Sequence, residues 1–300
     1  MVTPAARALL AVLCLGLAAA PMAAQTAPVP PPPSAAPASV EPVDEDLVFV
    51  PAEPDFTLIS LPSTLRLPDG KWGFRIAHRF TRALAEGSFG DLASDFFGFD
   101  GSALVGFELR YGLRPGTQLV FLRTSDRTIQ LMAQQSIVRQ GARPLAIDAI
   151  AAVQGLDNLG EDYTGTLGLL VSRRFGERAA VYAQPLAVLN PMPELSDGDE
   201  AWFVLGLAAR IRFGASTYVV VEGAPRLTGS GPDDHHVSFA IEKRRGGHTF
   251  QINFSNSFAT TLGQIARAYG GSGEWHIGFN ISRKFYRHAT PPRPSPETGR

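Results

Sequence analysis

The chain has little of several features that mark common protein classes. Its 300 residues include one cysteine, and 27 Lys and Arg residues nearly balance 28 Asp and Glu residues. One cysteine excludes a disulfide framework and a cysteine-rich zinc site, and the balanced charge lacks the basic excess of a nucleic-acid-binding protein. Between positions 71 and 286 no apolar run reaches the roughly 18 residues that a membrane-spanning helix needs.

Lysine is also scarce, because only three of the 27 basic residues are lysines and the other 24 are arginines. The planar guanidinium of arginine suits fixed, partly buried ion pairs better than the flexible ammonium of lysine does. The positions of the arginines should therefore matter more than their number.

Both ends of the chain lack the composition of a folded domain. Residues 1–24 predict a secretory signal peptide, because Arg7 precedes an apolar stretch that ends in small residues. The lone Cys14 lies inside that stretch, which disfavours a lipoprotein, so the mature chain is expected to be free of cysteine. Residues 25–55 are Pro-rich and are expected to form a disordered periplasmic linker or, as the alternative, a partner-binding arm. The Pro-rich tail 287–300 is also expected to be disordered.

The central region follows a period of two. In the last predicted strand Trp275, Ile277 and Phe279 share one face, and the residues between them are polar or glycine. Twelve segments of this kind occur, and most match the roughly 9 to 11 residues of a tilted transmembrane strand. The predicted strands are 72–81, 103–112, 116–124, 128–139, 144–155, 163–175, 179–189, 202–213, 216–224, 235–245, 248–257 and 274–285.

The connections between these strands alternate in length. The tight ones are 113–115, 140–143, 176–178, 214–215 and 246–247. The connections between them are longer, apart from the turn at 125–127. A barrel with periplasmic termini has short turns at one end and long loops at the other. The alternation therefore predicts an all-β fold, an antiparallel transmembrane β-barrel of about twelve strands at residues 56–286.

A soluble β-sandwich is the alternative fold, because its strands also alternate between apolar and polar residues. Strand length, loop asymmetry and a strongly charged polar face favour the membrane barrel, in which that face would line a wet lumen. The residues predicted to line the lumen are Arg75, Arg79, Glu108, Arg110, Asp148, Arg174, Arg210, Arg212, Glu242 and Lys284.

Part of the chain also carries short motifs of a known bacterial family. The motifs are Tyr111-Gly112, Arg123-Thr124-Ser125, Gln140, Pro144, Ser172-Arg173-Arg174-Phe175, Pro185 and Asn190. On these residues the run from 111 to 191 resembles a family of outer-membrane β-barrels known only as a domain of unknown function (number 5777). The resemblance implies a fold and an outer-membrane location, and it implies no activity. Gln134 and Gln135 stand where we expect a lysine of the family, so any role of that lysine does not transfer.

The sequence offers little catalytic chemistry. Residues 233–236 (Asp-Asp-His-His) form the densest polar cluster, but on a strand His235 and His236 point to opposite faces and cannot serve one metal ion without a bulge. Residues 229–231 (Gly-Ser-Gly) lack the strand–turn–helix context of a nucleophile elbow. We therefore predict no enzyme activity, no catalytic residue, no metal ion and no cofactor.

Two hypotheses of function stay open. The first is a narrow pore or small-solute passage with a charged lumen, and the second is a closed barrel that acts as a binding or scaffold protein without transport. Twelve strands do not decide between them, because barrels of about eight strands are filled by side chains and those of about sixteen hold a channel. The spacing also leaves open whether residues 55–68 plug the lumen or lie beneath it.

The expected location is the outer membrane, with both termini in the periplasm. The expected partners are outer-membrane lipid and lipopolysaccharide, the barrel assembly machinery during biogenesis, and a periplasmic protein that binds the Pro-rich arm. No nucleic-acid partner is expected from the balanced charge.

The membrane barrel and the soluble sandwich differ in a simple measurement. We expect the protein to be found in the outer-membrane fraction and to migrate differently in detergent gels before and after boiling, because a closed barrel stays folded in detergent until it is heated. Recovery of the protein in the soluble periplasmic fraction would contradict the barrel.

Overall fold

The computed structural model of the chain describes residues 45–95, 101–141, 143–193, 201–230, 234–270 and 274–289. In these ranges twelve antiparallel strands form a closed barrel, in which each strand pairs with its neighbours in the sequence and the first pairs with the last. The strands are β1 (Trp72–Phe80), β2 (Ala103–Arg114), β3 (Thr117–Thr124), β4 (Ile129–Val138), β5 (Ala146–Gly155), β6 (Glu161–Phe175), β7 (Ala179–Leu189), β8 (Ala201–Arg212), β9 (Thr217–Ala224), β10 (His236–Arg245), β11 (His248–Ser255) and β12 (His276–Lys284).

The predicted fold class is confirmed, since each observed strand overlaps one predicted segment. Observed and predicted strand ends differ by at most two residues, and β6 begins at Glu161 instead of residue 163. The preceding turn explains this difference, because Asp157, Asn158 and Leu159 all have positive φ values and reverse the chain within a few residues. The tight turn at 125–127 also forms as predicted, with Arg127 N bonded to Thr124 O at 3.0 Å.

The alternation of the strands separates an apolar outer surface from a polar interior. In β10, Val237, Phe239 and Ile241 are exposed, whereas His236 and Glu242 are buried. Across the sheet the outward positions pair with one another, so that apolar side chains form a continuous outer belt. An apolar belt around a closed barrel is the surface that a bilayer covers.

Four short helical segments connect or flank the strands. A 3-10 turn spans Glu45–Leu47, and three α-helical segments follow: α1 (Phe89–Ser94), α2 (Leu156–Leu159) and α3 (Leu262–Ala266). Ser88 caps α1, and the hydrogen bonds from its backbone N–H and its hydroxyl hold the pKa of Asp91 below its usual value. Among the described residues no helix is long and apolar enough to cross a membrane.

The two ends of the barrel differ. The turns between β2 and β3, β6 and β7, β8 and β9, and β10 and β11 are short, and we name this side the tight-turn end. The described parts of both termini lie here, because Ala289 N donates to Leu47 O at 3.0 Å. The opposite side, with α1, α2 and α3 in its loops, is the long-loop end.

Residues 52–67, which we name the plug segment, lie inside the barrel. All of them are buried except Leu65 and Arg66, which are half-buried. The segment reverses direction in a small hairpin, where Leu58 N donates to Leu61 O at 2.8 Å and Ser63 N donates to Phe56 O at 2.8 Å. The chain's own residues 52–67 therefore occupy part of the lumen.

The plug segment changes one predicted boundary. Residues 52–55 belong to the predicted linker 25–55, yet Glu53 and Asp55 are buried in the lumen, where the strand side chains bind this stretch. Residues 56–67 lie within the predicted barrel domain 56–286 and inside the barrel itself, which is one of the two positions that the sequence leaves open for residues 55–68. His288 of the predicted tail 287–300 contacts Leu47 O. The predicted signal peptide 1–24, the linker up to residue 44 and the tail from residue 290 lie outside the described residues.

The outer belt gives a prediction about depth in the bilayer. Ile252 lies at the middle of β11, is 56% exposed and pairs with Ile241 and Phe279. We expect Ile252→Lys to lower the free energy of unfolding by about 2–4 kcal/mol, because a charge at the midplane of the bilayer is costly, whereas Phe213→Lys at the tight-turn end should cost no more than about 1 kcal/mol. Denaturant unfolding in phospholipid vesicles, followed by tryptophan fluorescence, measures both. Equal effects of the two substitutions would contradict the assignment of the belt.

Candidate functional site

Eight of the ten residues predicted to line the lumen are buried inside the barrel. They are Arg75, Arg79, Glu108, Arg110, Asp148, Arg210, Glu242 and Lys284. Buried charges require partners, so the contacts of these side chains show what the lumen is built to hold.

Three of them form a charged group on β1 and β2. Glu108 accepts hydrogen bonds from Arg75 Nη2 at 2.8 Å and from Arg110 Nη2 at 3.0 Å, one on each carboxylate oxygen. Arg75 also donates from Nη1 to Ile59 O of the plug segment at 3.1 Å. One carboxylate thus bridges two wall arginines, and one of these arginines binds the plug backbone.

A second buried ion pair lies on another part of the wall. Arg210 on β8 and Glu242 on β10 are paired at 3.0 Å, and both side chains are almost completely buried. Arg210 Nη2 also donates to Thr57 O at 2.7 Å. This ion pair reaches across β9, which lies between β8 and β10, and the remaining donors of the arginines bind plug carbonyl oxygens.

The other buried wall cations also contact the plug. Arg79 donates to Ile59 O and to Ser60 Oγ, each at 3.3 Å, and to Asn280 Oδ1 at 2.9 Å. Lys284 Nζ lies 4.7 Å from the centre of the Phe56 ring, a cation–π contact.

Amide side chains of the wall bind further plug carbonyl groups. Gln134 donates to Ser63 O at 2.9 Å, Gln184 donates to Pro62 O at 2.8 Å, and Gln251 donates to Leu58 O at 2.9 Å. These three glutamines lie on β4, β7 and β11, so the plug is attached on several sides of the barrel. Attachment by wall side chains lets an irregular segment remain inside the lumen with its backbone groups paired.

Arg174 and Arg212 differ from the other predicted residues. Arg174 is half-buried and faces the plug near the tight-turn end, with Nε 3.6 Å from Glu53 Oε2. Arg212 lies at the rim, where it donates to Gly214 O at 3.1 Å and to Ala215 O at 2.9 Å. Its prediction as a lumen residue is corrected, because it is the last residue of β8 and its guanidinium folds back onto the adjacent turn.

The sequence did not single out the strongest anchor of the plug, which is Glu222 on β9. Its two carboxylate oxygens accept hydrogen bonds from three consecutive plug amides, Ile59 N at 2.9 Å, Ser60 N at 2.8 Å and Leu61 N at 3.2 Å. A buried carboxylate that accepts several backbone amides makes stronger bonds than a neutral acceptor does.

His236 on β10 forms a hydrogen bond with the Glu222 carboxylate. Its Nε2 lies 3.0 Å from Glu222 Oε1, and its Nδ1 lies 2.7 Å from Ser257 Oγ. Because an ionised carboxylate can only accept, Nε2 carries the proton that points to Glu222. The predicted separation of the two histidines is observed, since His236 is buried and His235 is exposed.

One signal in the sequence could have revealed Glu222. It is the single charged residue of β9, whose other inward positions are Tyr218, Val220 and Ala224. An isolated charge in an apolar strand at membrane depth is costly unless it has a specific partner. The partner lies far away in the chain, at residues 59–61, and periodicity within one strand does not show it.

The loop between β11 and β12 fills the long-loop end of the lumen. All residues of α3 are buried, and its first amides bind the wall: Leu262 N donates to Gln130 Oε1 at 2.8 Å and Gly263 N donates to Gln154 Oε1 at 3.1 Å. The plug and this loop meet where Ser60 Oγ donates to Ala259 O at 2.9 Å. Their apolar side chains also join one buried cluster with the wall.

The tight-turn end holds the start of the plug. Leu47 O accepts hydrogen bonds from Ala289 N and from His288 Nδ1, and the ring of Phe49 contacts both His288 and Arg244. Burial, with the nearby positive charge of Lys284, lowers the pKa of His288, so that its imidazole is neutral at neutral pH. We name this contact, between residues 47–49 and residues 288–289, the terminal clasp. It does not depend on a histidine charge.

The fold and its contents define a class of protein. An even number of antiparallel strands, a closed sheet and an apolar outer belt are the features of an outer-membrane β-barrel, here with its lumen occupied by two segments of the same chain. Residues 55–285 match the family described as "Membrane bound beta barrel domain (DUF5777)", and the chain belongs to this family. The family predicted from the motifs is thereby confirmed.

Solved structures show a similar architecture. The NanC porin has 6% sequence identity and a TM-score of 0.48, covering 72% of this chain and 99% of that one. An outer membrane channel from Pseudomonas putida F1 has 13% identity and a TM-score of 0.44, covering 73% and 97%. The outer membrane protein Omp33 from Acinetobacter baumannii has 8% identity and a TM-score of 0.41, covering 72% and 99%. Likeness at this level carries no argument about what the chain binds or transports.

No curated protein matches the chain in sequence. The conclusions about the lumen therefore rest on its own contacts.

The Glu222 anchor gives a prediction about the plug. In Glu222→Gln one carboxylate oxygen becomes an NH2 group, which cannot accept from a plug amide, and each charged hydrogen bond lost costs about 1.5–3 kcal/mol. We expect trypsin to cleave after Arg66 at least about tenfold faster, since each 1.4 kcal/mol corresponds to a factor of about ten. Mass spectrometry of timed digests measures the rate.

Glu161→Gln is the matched control, because Glu161 is an exposed carboxylate at the start of β6. It should leave the cleavage rate unchanged. The role of Glu222 as the anchor is contradicted if both variants are cleaved at the rate of the unsubstituted chain.

Proposed function

We propose that the protein is a gated passage for small solutes across the outer membrane, closed by its plug segment in the conformation described. The observation that carries this proposal is the pairing of the wall charges with one another. Glu108 bridges two wall arginines, and Glu242 pairs with Arg210. These contacts lie within the wall and persist when the plug leaves, and the remaining charges, such as Arg79 and Glu222, would then face water in the opened lumen.

The attachments of the plug also suit reversible displacement. Most of them are hydrogen bonds from wall side chains to plug backbone groups, and water can replace each of them. The plug continues directly into β1 through residues 68–71, so it can leave through the tight-turn end without unfolding a strand. The loop that holds α3 must then shift as well, because it fills the other half of the lumen.

The second candidate function is a closed barrel that serves as a binding or scaffold protein. The buried α3 and its contact with Ser60 favour it, because two independent segments fill the lumen from opposite ends. In that case the polar contacts within the lumen are permanent, and the outer loops or the N-terminal arm carry the function. We propose no catalytic role for either candidate.

The direction of the barrel and its partners belong to the same proposal. We place the tight-turn end and both termini in the periplasm, because short turns face the periplasm in barrels of this class. The Pro-rich segment before residue 45 then extends into the periplasm, where a protein partner that pulls on it would act on the plug. We also propose outer-membrane lipid, lipopolysaccharide and the assembly machinery as partners, because each of them follows from an outer-membrane location.

A reversible crosslink between plug and wall tests the gate. Thr64 Oγ1 on the plug and Ser172 Oγ on β6 lie 2.5 Å apart, so cysteines at these positions are placed to form a disulfide. We expect Glu222→Gln to open in planar bilayers more often than the unsubstituted chain. The same variant with Thr64→Cys and Ser172→Cys should be silent when oxidised and should conduct again after reduction.

The two candidate functions give opposite results. A gated passage requires current from Glu222→Gln that the crosslink abolishes, and each single cysteine variant should be insensitive to oxidation. A Glu222→Gln protein that is folded, releases its plug to trypsin and carries no current would overturn the passage and leave the closed barrel.

A further inference from the structure

A cavity of about 270 Å³ lies at the tight-turn end, between the plug segment and the wall formed by β4, β5 and β6. The plug leaves this part of the lumen unfilled. The polar lining of the cavity comes from both sides: Glu53, Thr64 and Arg66 belong to the plug, and Ser136, Asp148 and Arg174 belong to the wall.

The cavity presents a carboxylate and a guanidinium on its wall. Asp148 is 2% exposed and accepts a hydrogen bond from Gln134 Nε2 at 2.7 Å, and within the described residues it forms no ion pair. Arg174 is only loosely paired, with its Nε 3.6 Å from Glu53 Oε2, and its Nη2 donates to Gln140 O at 3.2 Å. Both groups therefore retain capacity for a further charged partner.

The charged side chains at the outer edge of the cavity form ion pairs with one another. Asp46 pairs with Arg66 at 3.3 Å and also with Arg139, which in turn contacts Glu45. These four charges balance one another near the rim, and the inner cavity holds Glu53, Asp148 and Arg174, with Arg66 also acting on Asp148.

This arrangement favours a ligand with both charges. An anion at Arg174 leaves the buried carboxylate of Asp148 without a cation, and a cation at Asp148 leaves Arg174 with only its 3.6 Å contact to Glu53. A molecule with a carboxylate at one end and an ammonium at the other satisfies both sides, and charged hydrogen bonds to a guanidinium and a carboxylate are the strong kind. The volume restricts such a molecule to a small one.

We infer that this cavity is a binding site for small dipolar solutes of the α-amino acid type, with the solute carboxylate at Arg174 and its ammonium at Asp148. The site is formed in the closed conformation. It goes beyond the proposed passage, because binding here does not require the lumen to conduct.

Three probes of matched carbon skeleton test the inference on the full-length protein in detergent micelles. L-Alanine carries both charges, propionate lacks the ammonium and ethylammonium lacks the carboxylate. We expect ligand-observed NMR titrations to show that L-alanine binds at least about tenfold more tightly than either singly charged probe, because it makes one more charged contact than either of them.

Two substitutions test which charged group of the ligand each wall residue binds. Asp148→Asn should reduce the affinity for L-alanine to that for propionate, and Arg174→Gln should reduce it to that for ethylammonium. Arg212→Gln is the matched control, because Arg212 lies at the rim on β8 and does not line the cavity. It should leave the binding of all three probes unchanged.

The outcomes separate this inference from the gate. Equal affinity for the three probes, or unchanged binding in Asp148→Asn and Arg174→Gln proteins with normal heat-modifiable migration, would overturn the site. If Asp148→Asn does not fold, the half-buried Arg174 still decides the matter, because its truncation leaves the buried core of the lumen intact. Conductance is not measured in this experiment, so a failed gate and a failed site are told apart.

Discussion

The peptide groups of the plug segment determine the chemistry of the lumen wall. An irregular backbone at membrane depth is tolerated only where every N–H and C=O group finds a partner. Glu222 accepts three consecutive amides of the plug, and arginine and glutamine side chains from several strands donate to its carbonyl oxygens. The polar side chains of the strands are thus placed to form hydrogen bonds with the backbone of the plug segment.

The same wall also pairs charges with one another. Glu108 bridges Arg75 and Arg110, and Arg210 pairs with Glu242. Arginine suits this double task, because its guanidinium has five donors and can bind a carboxylate and a carbonyl oxygen together. At Arg75 and Arg210 a lysine would not reproduce this planar fork, because its ammonium group is a compact donor without a fixed planar geometry.

The strands and the inward positions of most charged residues could be predicted from the sequence, because a strand has a period of two and its pattern is local. The plug could not be placed in the same way. Its residues 56–61 have no period that marks a lumen segment, and its principal anchor Glu222 lies more than 160 residues away. Arg212 shows the complementary error, since it has the correct parity but lies at the last position of its strand, where a turn captures its guanidinium.

The terminal clasp has a consequence for how the molecule is built. The plug precedes β1 in the chain, whereas β12 and the residues that bind Leu47 come last. The seam between β1 and β12 and the contact that holds the start of the plug are therefore completed by the same final stretch of polypeptide. A change in residues 284–289 therefore acts both on the closure of the barrel wall and on the segment that leads into the plug.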